Sequence, residues 1–134
     1  MKVLVDISVW SLALRRRAPV HPAVDELRRR CPDLELRVAL LGEGPHRAKL
    51  EQQAIDLKLS DIIKLPGFQG NAAAWYRSAD LFVLPSLMEG MPNVLLEAMA
   101  CGTLVISSNC HSGPTEILEN GRLGELVAVN DVDS

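Results

Sequence analysis

Two carboxylates, Glu89 and Glu97, bracket the stretch EGMPNVLLE, with seven residues between them. Pro92 suits the first position of a helix, where its missing N–H costs nothing, and 93–101 continues in good helix formers until Gly102 stops it. Glu97 then lies ~7 Å of helical rise beyond Pro92, and helix side chains lean back toward the amino end. The free N–H groups of a first turn form an anion site, and Gly90 lets the backbone before it come close to a ligand. A phosphate on those N–H groups, with carboxylates accepting hydrogen bonds from hydroxyls around it, describes a bound nucleotide sugar. The competing reading of the same spacing is a capped, solvated helix whose two glutamates do nothing special.

Such a site needs elements that carry loops to one edge, and the chain has them. Short β-type runs at 3–6, 36–41, 62–65, 81–84, 104–107 and 126–129 alternate with helical stretches at 22–30, 45–57, 71–78, 93–101 and 114–119. Continuously apolar strands separated by helices imply parallel pairing with both faces covered, so the expected fold is a doubly wound α/β sheet of about six strands. Pro45 opens one helix, Asn71 caps the next, and Gly121 follows Asn120 where a helical stop belongs. Ligands of such sheets bind beyond the carboxyl ends of the strands. Here those turns are 42–44, 66–70, 85–92 and 108–114. Gly42-x-Gly44, after a strand and before a helix, is part of a dinucleotide fingerprint without its third glycine; a tight strand-to-helix turn explains it as well as phosphate contact does.

At 134 residues and 48% apolar content the chain can bury one core, with no room for a second domain of ordinary size. No apolar run approaches a membrane span, and VLVDISVWSLAL is interrupted by Asp6 and followed by Arg15, Arg16 and Arg17, the wrong order for a secretory signal. The expectation is a cytoplasmic protein without a transmembrane segment. Cys31, Cys101 and Cys110 are odd in number and read as buried thiols, and His21, His46 and His111 are scattered, so no metal site is expected. Residues 1–30 hold seven basic against three acidic side chains, and the remainder seven against fourteen. The basic triplets 15–17 and 28–30 could draw phosphates or nucleic acid, but a solvated helix face is the commoner meaning, and no nucleic-acid partner is expected.

From about Pro32 to the end, the chain resembles the nucleotide-sugar-binding half of GT-B glycosyltransferases of family 4. The resemblance runs in order through LRVALLGEGPHRAKLE, IIKLPGF, WYRSADLFVLPSLMEGMPNVLLEAMACGTLVISS and SGPTEILENGRLGELV. It implies that Glu89 hydrogen-bonds the donor sugar and that Glu97 accepts the ribose hydroxyls. It further implies that Gly90, Met91, Pro92, Asn93 and Val94 offer backbone N–H groups to sugar and pyrophosphate, with Phe68 near the base and Gly42 and Gly44 on the adjoining turn. The donor would be a nucleotide-diphosphate sugar, with SGPTEIL similar to bacterial members using uridine-diphosphate N-acetylhexosamines, and transfer would retain configuration without a further cofactor or metal. The acceptor would need a separate domain or chain.

Residues 1–31 depart from that pattern. The family's Gly-Arg after the first strand is absent, no glycine precedes Gly42, and Asp6-Ile7-Ser8-Val9-Trp10 stands in its place. MKVLVDISVW followed by HPAVDELRRR resembles the opening of PIN-domain ribonucleases, whose first strand ends in a metal-binding Asp; Asp6 would be that residue. The expected organisation is a PIN-like strand and helix over 1–31, able to complete the sheet, joined to a truncated glycosyltransferase domain over 32–134. Alternatives are a fused fold without catalysis and, on Asp6, a metal-dependent ribonuclease.

Overall fold

The computed structural model describes residues 1–6, 35 and 37–129. The expected helix at 22–30, both arginine triplets, His21 and Cys31 lie outside the described residues. Six parallel strands form one sheet in the order β3-β2-β1-β4-β5-β6. They are β1 (Lys2–Asp6), β2 (Arg37–Leu41), β3 (Ile63–Gly67), β4 (Leu81–Leu84), β5 (Leu104–Ser108) and β6 (Glu125–Val127). Helix α1 (Arg47–Asp56) joins β2 to β3, α2 (Ala72–Ser78) joins β3 to β4, and α3 (Asn93–Ala100) joins β4 to β5. The last connection holds α4 (Pro114–Ile117) and a 3₁₀ turn, Glu119–Gly121. The doubly wound α/β expectation is met, and the order in which strands are added reverses between β1 and β4.

Strand β1 is central, with Val3, Leu4 and Val5 paired to Val38, Ala39 and Leu40 on one side and to Leu81, Phe82 and Val83 on the other. Side chains alternate across a strand, so Leu4, Phe82, Leu84 and Val105 bury one face against Tyr76, Leu95, Ala98 and Leu118. Val3, Val5, Val38, Leu40 and Val83 form the opposite cluster. Two-sided burial is why these strands read as unbroken apolar runs rather than alternating ones. Tyr76 meets Phe82 edge to face, with ring centroids 5.4 Å apart, and its carbonyl accepts from the buried Thr103 hydroxyl at 2.7 Å.

Element ends shift for local reasons. β3 runs on through Pro66 and Gly67, because it is an edge strand where proline's missing donor leaves no ladder bond broken. α1 begins at Arg47, two residues after Pro45, since the Arg47 N–H first closes a turn onto the Gly44 carbonyl at 3.1 Å. Pro92 is the cap residue of α3 rather than its first helical residue, with φ −75° and ψ 88°. Asn71 caps α2 as expected, its side chain accepting from the Ala74 N–H at 3.2 Å. The helix expected over 114–119 stops early because Glu119 and Asn120 turn left-handed at φ 48° and 58°.

Leu84 and Leu95 are fully buried. Replacing Leu95 by Ala should cost about 2 to 5 kcal/mol, whereas Leu96→Ala on the exposed side of the same helix should cost under ~0.5 kcal/mol. Urea unfolding of the two variants reads the difference.

Candidate functional site

The turns that follow β2, β3, β4 and β5 gather at the carboxyl edge of the sheet, beside the β1/β4 switch point. Helix α3 opens there. It has no side-chain cap, since Pro92 provides none, and while the Leu95 N–H donates to the Pro92 carbonyl at 3.0 Å, those of Asn93 and Val94 are left to face an anion. Gly90 and Asn93 are exposed, and a Cβ built on Gly90 would meet nothing within 4 Å, so the approach to the helix mouth is open. Pro92 is buried beneath it, Val94 is half-buried against the core, and Met91 stands 62% exposed.

The two carboxylates flank this mouth with different partners. Glu89 is half-buried, and its Oε1 accepts a 2.6 Å hydrogen bond from the Ser86 hydroxyl. Its backbone carbonyl accepts from the Ser112 hydroxyl at 3.2 Å, which ties the β4–α3 loop to the β5–α4 loop. Glu97 faces the other way, toward α2. Its Oε2 accepts from the Tyr76 hydroxyl at 3.4 Å, so a ring packed in the core presents its polar tip to an exposed acid.

The loops after β4 and β5 close on each other through Gly113. At φ 81° it occupies the left-handed region, and a Cβ there would lie 2.5 Å from the Gly90 carbonyl oxygen and 2.8 Å from Pro92 Cδ. Only glycine fits both demands. An open groove of about 560 Å³ follows, lined by Asn109, Cys110, His111, Ser112, Thr115 and Glu116. Another groove of about 500 Å³ lies at the amino ends of β1 to β3, around Lys2, Arg37, Asp61 and Trp75. It is at the edge opposite the carboxyl ends of the strands, beyond which ligands of such sheets bind.

On the far side of the mouth, the turns after β2 and β3 are stitched together. Gly42, at φ 109°, donates its N–H to the Gly67 carbonyl at 3.1 Å. Arg47 binds Glu43 at 3.0 Å, Glu51 at 2.9 Å and the Leu65 carbonyl at 2.6 Å. This arginine is consumed in holding the turns. Gly44 is exposed with open space at its Cα, and Phe68 projects from the following loop at 78% exposure.

Several residues here escaped the sequence reading. Ser86, Ser108 and Ser112 were seen only as parts of longer stretches, yet Ser108 donates to the Ser86 carbonyl and Ser107 to that of Leu84 at 3.4 Å. The signal available was Ser86 and Ser112 in the turns after adjacent strands, with Ser108 at the end of β5. Cys110 is buried as expected, and burial, followed by the nearby Glu89 charge, pushes its thiol up from the ordinary range. Among the described residues no cluster of three or more His, Cys, Asp or Glu could hold a metal ion, and no helix is long and apolar enough to cross a membrane.

Two outcomes follow from this geometry. Gly113→Ala should destabilise the chain by about 1 to 3 kcal/mol and shift the thermal midpoint down, because both a left-handed backbone and a clash must be absorbed. Cys110 should resist a thiol reagent at pH 8 until the chain is unfolded, measured by mass spectrometry site by site.

Residues 20–134 match the family described as Glycosyl transferases group 1, beginning twelve residues before the boundary expected at Pro32. The D-inositol 3-phosphate glycosyltransferase of Pseudarthrobacter chlorophenolicus is 39% identical over 105 residues, 75% of this chain and 25% of its own length. The N-acetylgalactosamine-N,N'-diacetylbacillosaminyl-diphospho-undecaprenol 4-alpha-N-acetylgalactosaminyltransferase of Campylobacter jejuni is 31% identical over 100 residues, covering 75% of this chain and 27% of that one. The crystal structure of Anabaena Alr3699/HepE in complex with UDP-glucose superposes on 96% of this chain and 35% of its own, with a TM-score of 0.73 and 26% identity. The chain thus spans between a quarter and about a third of the length of relatives it matches. Sequence match and superposed sheet agree: the chain belongs to the group 1 glycosyl transferases, and its described residues form a GT-B glycosyltransferase domain.

Proposed function

We propose that this domain binds a uridine-diphosphate sugar at the carboxyl edge of its sheet and serves as the donor half of a retaining glycosyltransferase. The observation that carries the reading is the uncapped amino end of α3, standing between Glu89 on the β5 side and Glu97 on the α2 side. The diphosphate rests on N–H groups of Asn93 and Val94, with Gly90, Met91 and Pro92 shaping the turn. Glu97 accepts the ribose hydroxyls and Glu89 the hydroxyls of the sugar. The nucleoside then extends along α2 toward Phe68, with Gly42 and Gly44 on the neighbouring turn.

Breaking the glycosidic bond leaves negative charge on the departing diphosphate, and fixed N–H dipoles aimed there lower the barrier. That role falls to α3 because Arg47 is already committed to Glu43, Glu51 and Leu65. Support for the uridine nucleotide comes from the neighbour solved with UDP-glucose, and support for an N-acetylhexosamine from the Campylobacter jejuni relative and the SGPTEIL stretch. Retention of configuration rests on the family resemblance. An acceptor surface would come from a further domain or chain. Within residues 1–31, Lys2–Asp6 would supply the first strand of the donor domain, a reading supported by its central pairing. No observation favours the ribonuclease reading of Asp6.

Calorimetric titration of the chain with UDP, UDP-N-acetylglucosamine and UDP-glucose tests the proposal. Binding of UDP is expected, and no heat and no thermal stabilisation at millimolar ligand would refute it. Glu97→Ala should weaken nucleotide binding by about 1.5 to 3 kcal/mol, the loss of a hydrogen bond to a charged group. Unchanged affinity would remove Glu97 from the site.

A further inference from the structure

We propose that Ser86 and Ser112 are positioning residues that fix Glu89 for the donor sugar, and that this grip, rather than the carboxylate alone, makes the site respond to the sugar. The inference rests on the donor-site reading above. Ser86 is 1% exposed, in a loop that also carries the exposed Met88 and Met91. A buried hydroxyl needs a partner, and the one it takes is Glu89 Oε1 at 2.6 Å. Ser86 is itself anchored, because its carbonyl accepts from the buried Ser108 hydroxyl of β5. The Ser112 hydroxyl then holds the Glu89 carbonyl at 3.2 Å, from a residue whose φ of 60° is set by the same turn that places Gly113 against Gly90.

Both ends of Glu89 are therefore held, the carboxylate by Ser86, which is itself anchored on β5, and the carbonyl by Ser112 of the β5–α4 loop. A carboxylate has about four acceptor positions on its two oxygens. Ser86 occupies one on Oε1, and among the described residues no hydrogen bond is made to Oε2. That oxygen is left for a sugar hydroxyl, with its direction already set. An unrestrained glutamate on a loop would lose side-chain freedom on each binding event, and the restraint removes that cost beforehand. Glu97 has no part in this, since its contact is with Tyr76 across the helix.

The asymmetry gives a test that a general weakening of the fold cannot imitate. In the 134-residue chain, Ser86→Ala should weaken UDP-N-acetylglucosamine binding about three- to tenfold while leaving UDP within about twofold, since only the sugar reaches Glu89. Ser86→Thr, which keeps the hydroxyl, should restore most of the loss. Ser112→Ala, at an exposed position and without risk to the core, should lower the same ratio more mildly and answers the question if Ser86→Ala does not fold. Equal loss for UDP and the UDP-sugar, or no loss for either, in both alanine variants would overturn the inference. Absence of UDP binding by the unsubstituted chain would instead overturn the donor-site reading, and this inference with it.

Discussion

The carbonyl oxygen of Gly90 sits where any side chain at position 113 would have to be. That one close approach draws the loop after β4 onto the loop after β5, and the rest of the site's geometry depends on it. With the loops in contact, Ser112 reaches the Glu89 backbone, Ser108 reaches Ser86, and Ser86 reaches the Glu89 carboxylate. Separate the loops and the glutamate becomes an ordinary flexible surface acid. The constraint is steric, but its consequence is electrostatic: a negative group held at a fixed place beside the positive end of a helix.

In the proposed donor site, a charge balance assigns much of the anion to the helix. The family resemblance implies a Gly-Arg after the first strand, whereas the first thirty residues of this chain follow a different pattern. Arg47 is the basic side chain nearest in sequence to the β2–α1 turn. It makes three bonds within the fold, one of them to a strand carbonyl, and is spent on keeping Glu43, Glu51 and Leu65 together. The Asn93 and Val94 N–H groups carry no such competing commitment. They are also fixed by the helix itself, so they need not reorganise as charge develops.

The core explains why the site is firm on one side of α3. Leu95 and Ala98 lie in the same cluster as Phe82, Leu84 and Tyr76, so the helix that offers its N–H groups is bolted to the strand that delivers Glu89. Tyr76 belongs to both worlds, its ring in the core and its hydroxyl on Glu97. Movement of α2 would therefore be felt at Glu97, whereas Glu89 answers to β4 and β5.

The sequence by itself determined the α/β class, the six strands, the helix after the Gly-Met-Pro turn and the pair of acids around it. These follow from local causes: apolar runs short enough for strands, helix formers between glycine and proline stops, and an Asn at a cap. Element ends were less legible. Pro66 reads as a terminator until the strand order makes β3 an edge, and the left-handed Glu119 has no local signal at all. Only the tertiary structure decided which partners the acids take. Glu89 and Ser112 are far apart in the chain, and Glu97 and Tyr76 equally so, because spacing fixes the face a residue occupies on its own element while contact depends on which elements the sheet order makes neighbours. The need for glycine at 113 likewise comes from a backbone twenty-three residues away, a demand that no local pattern can express.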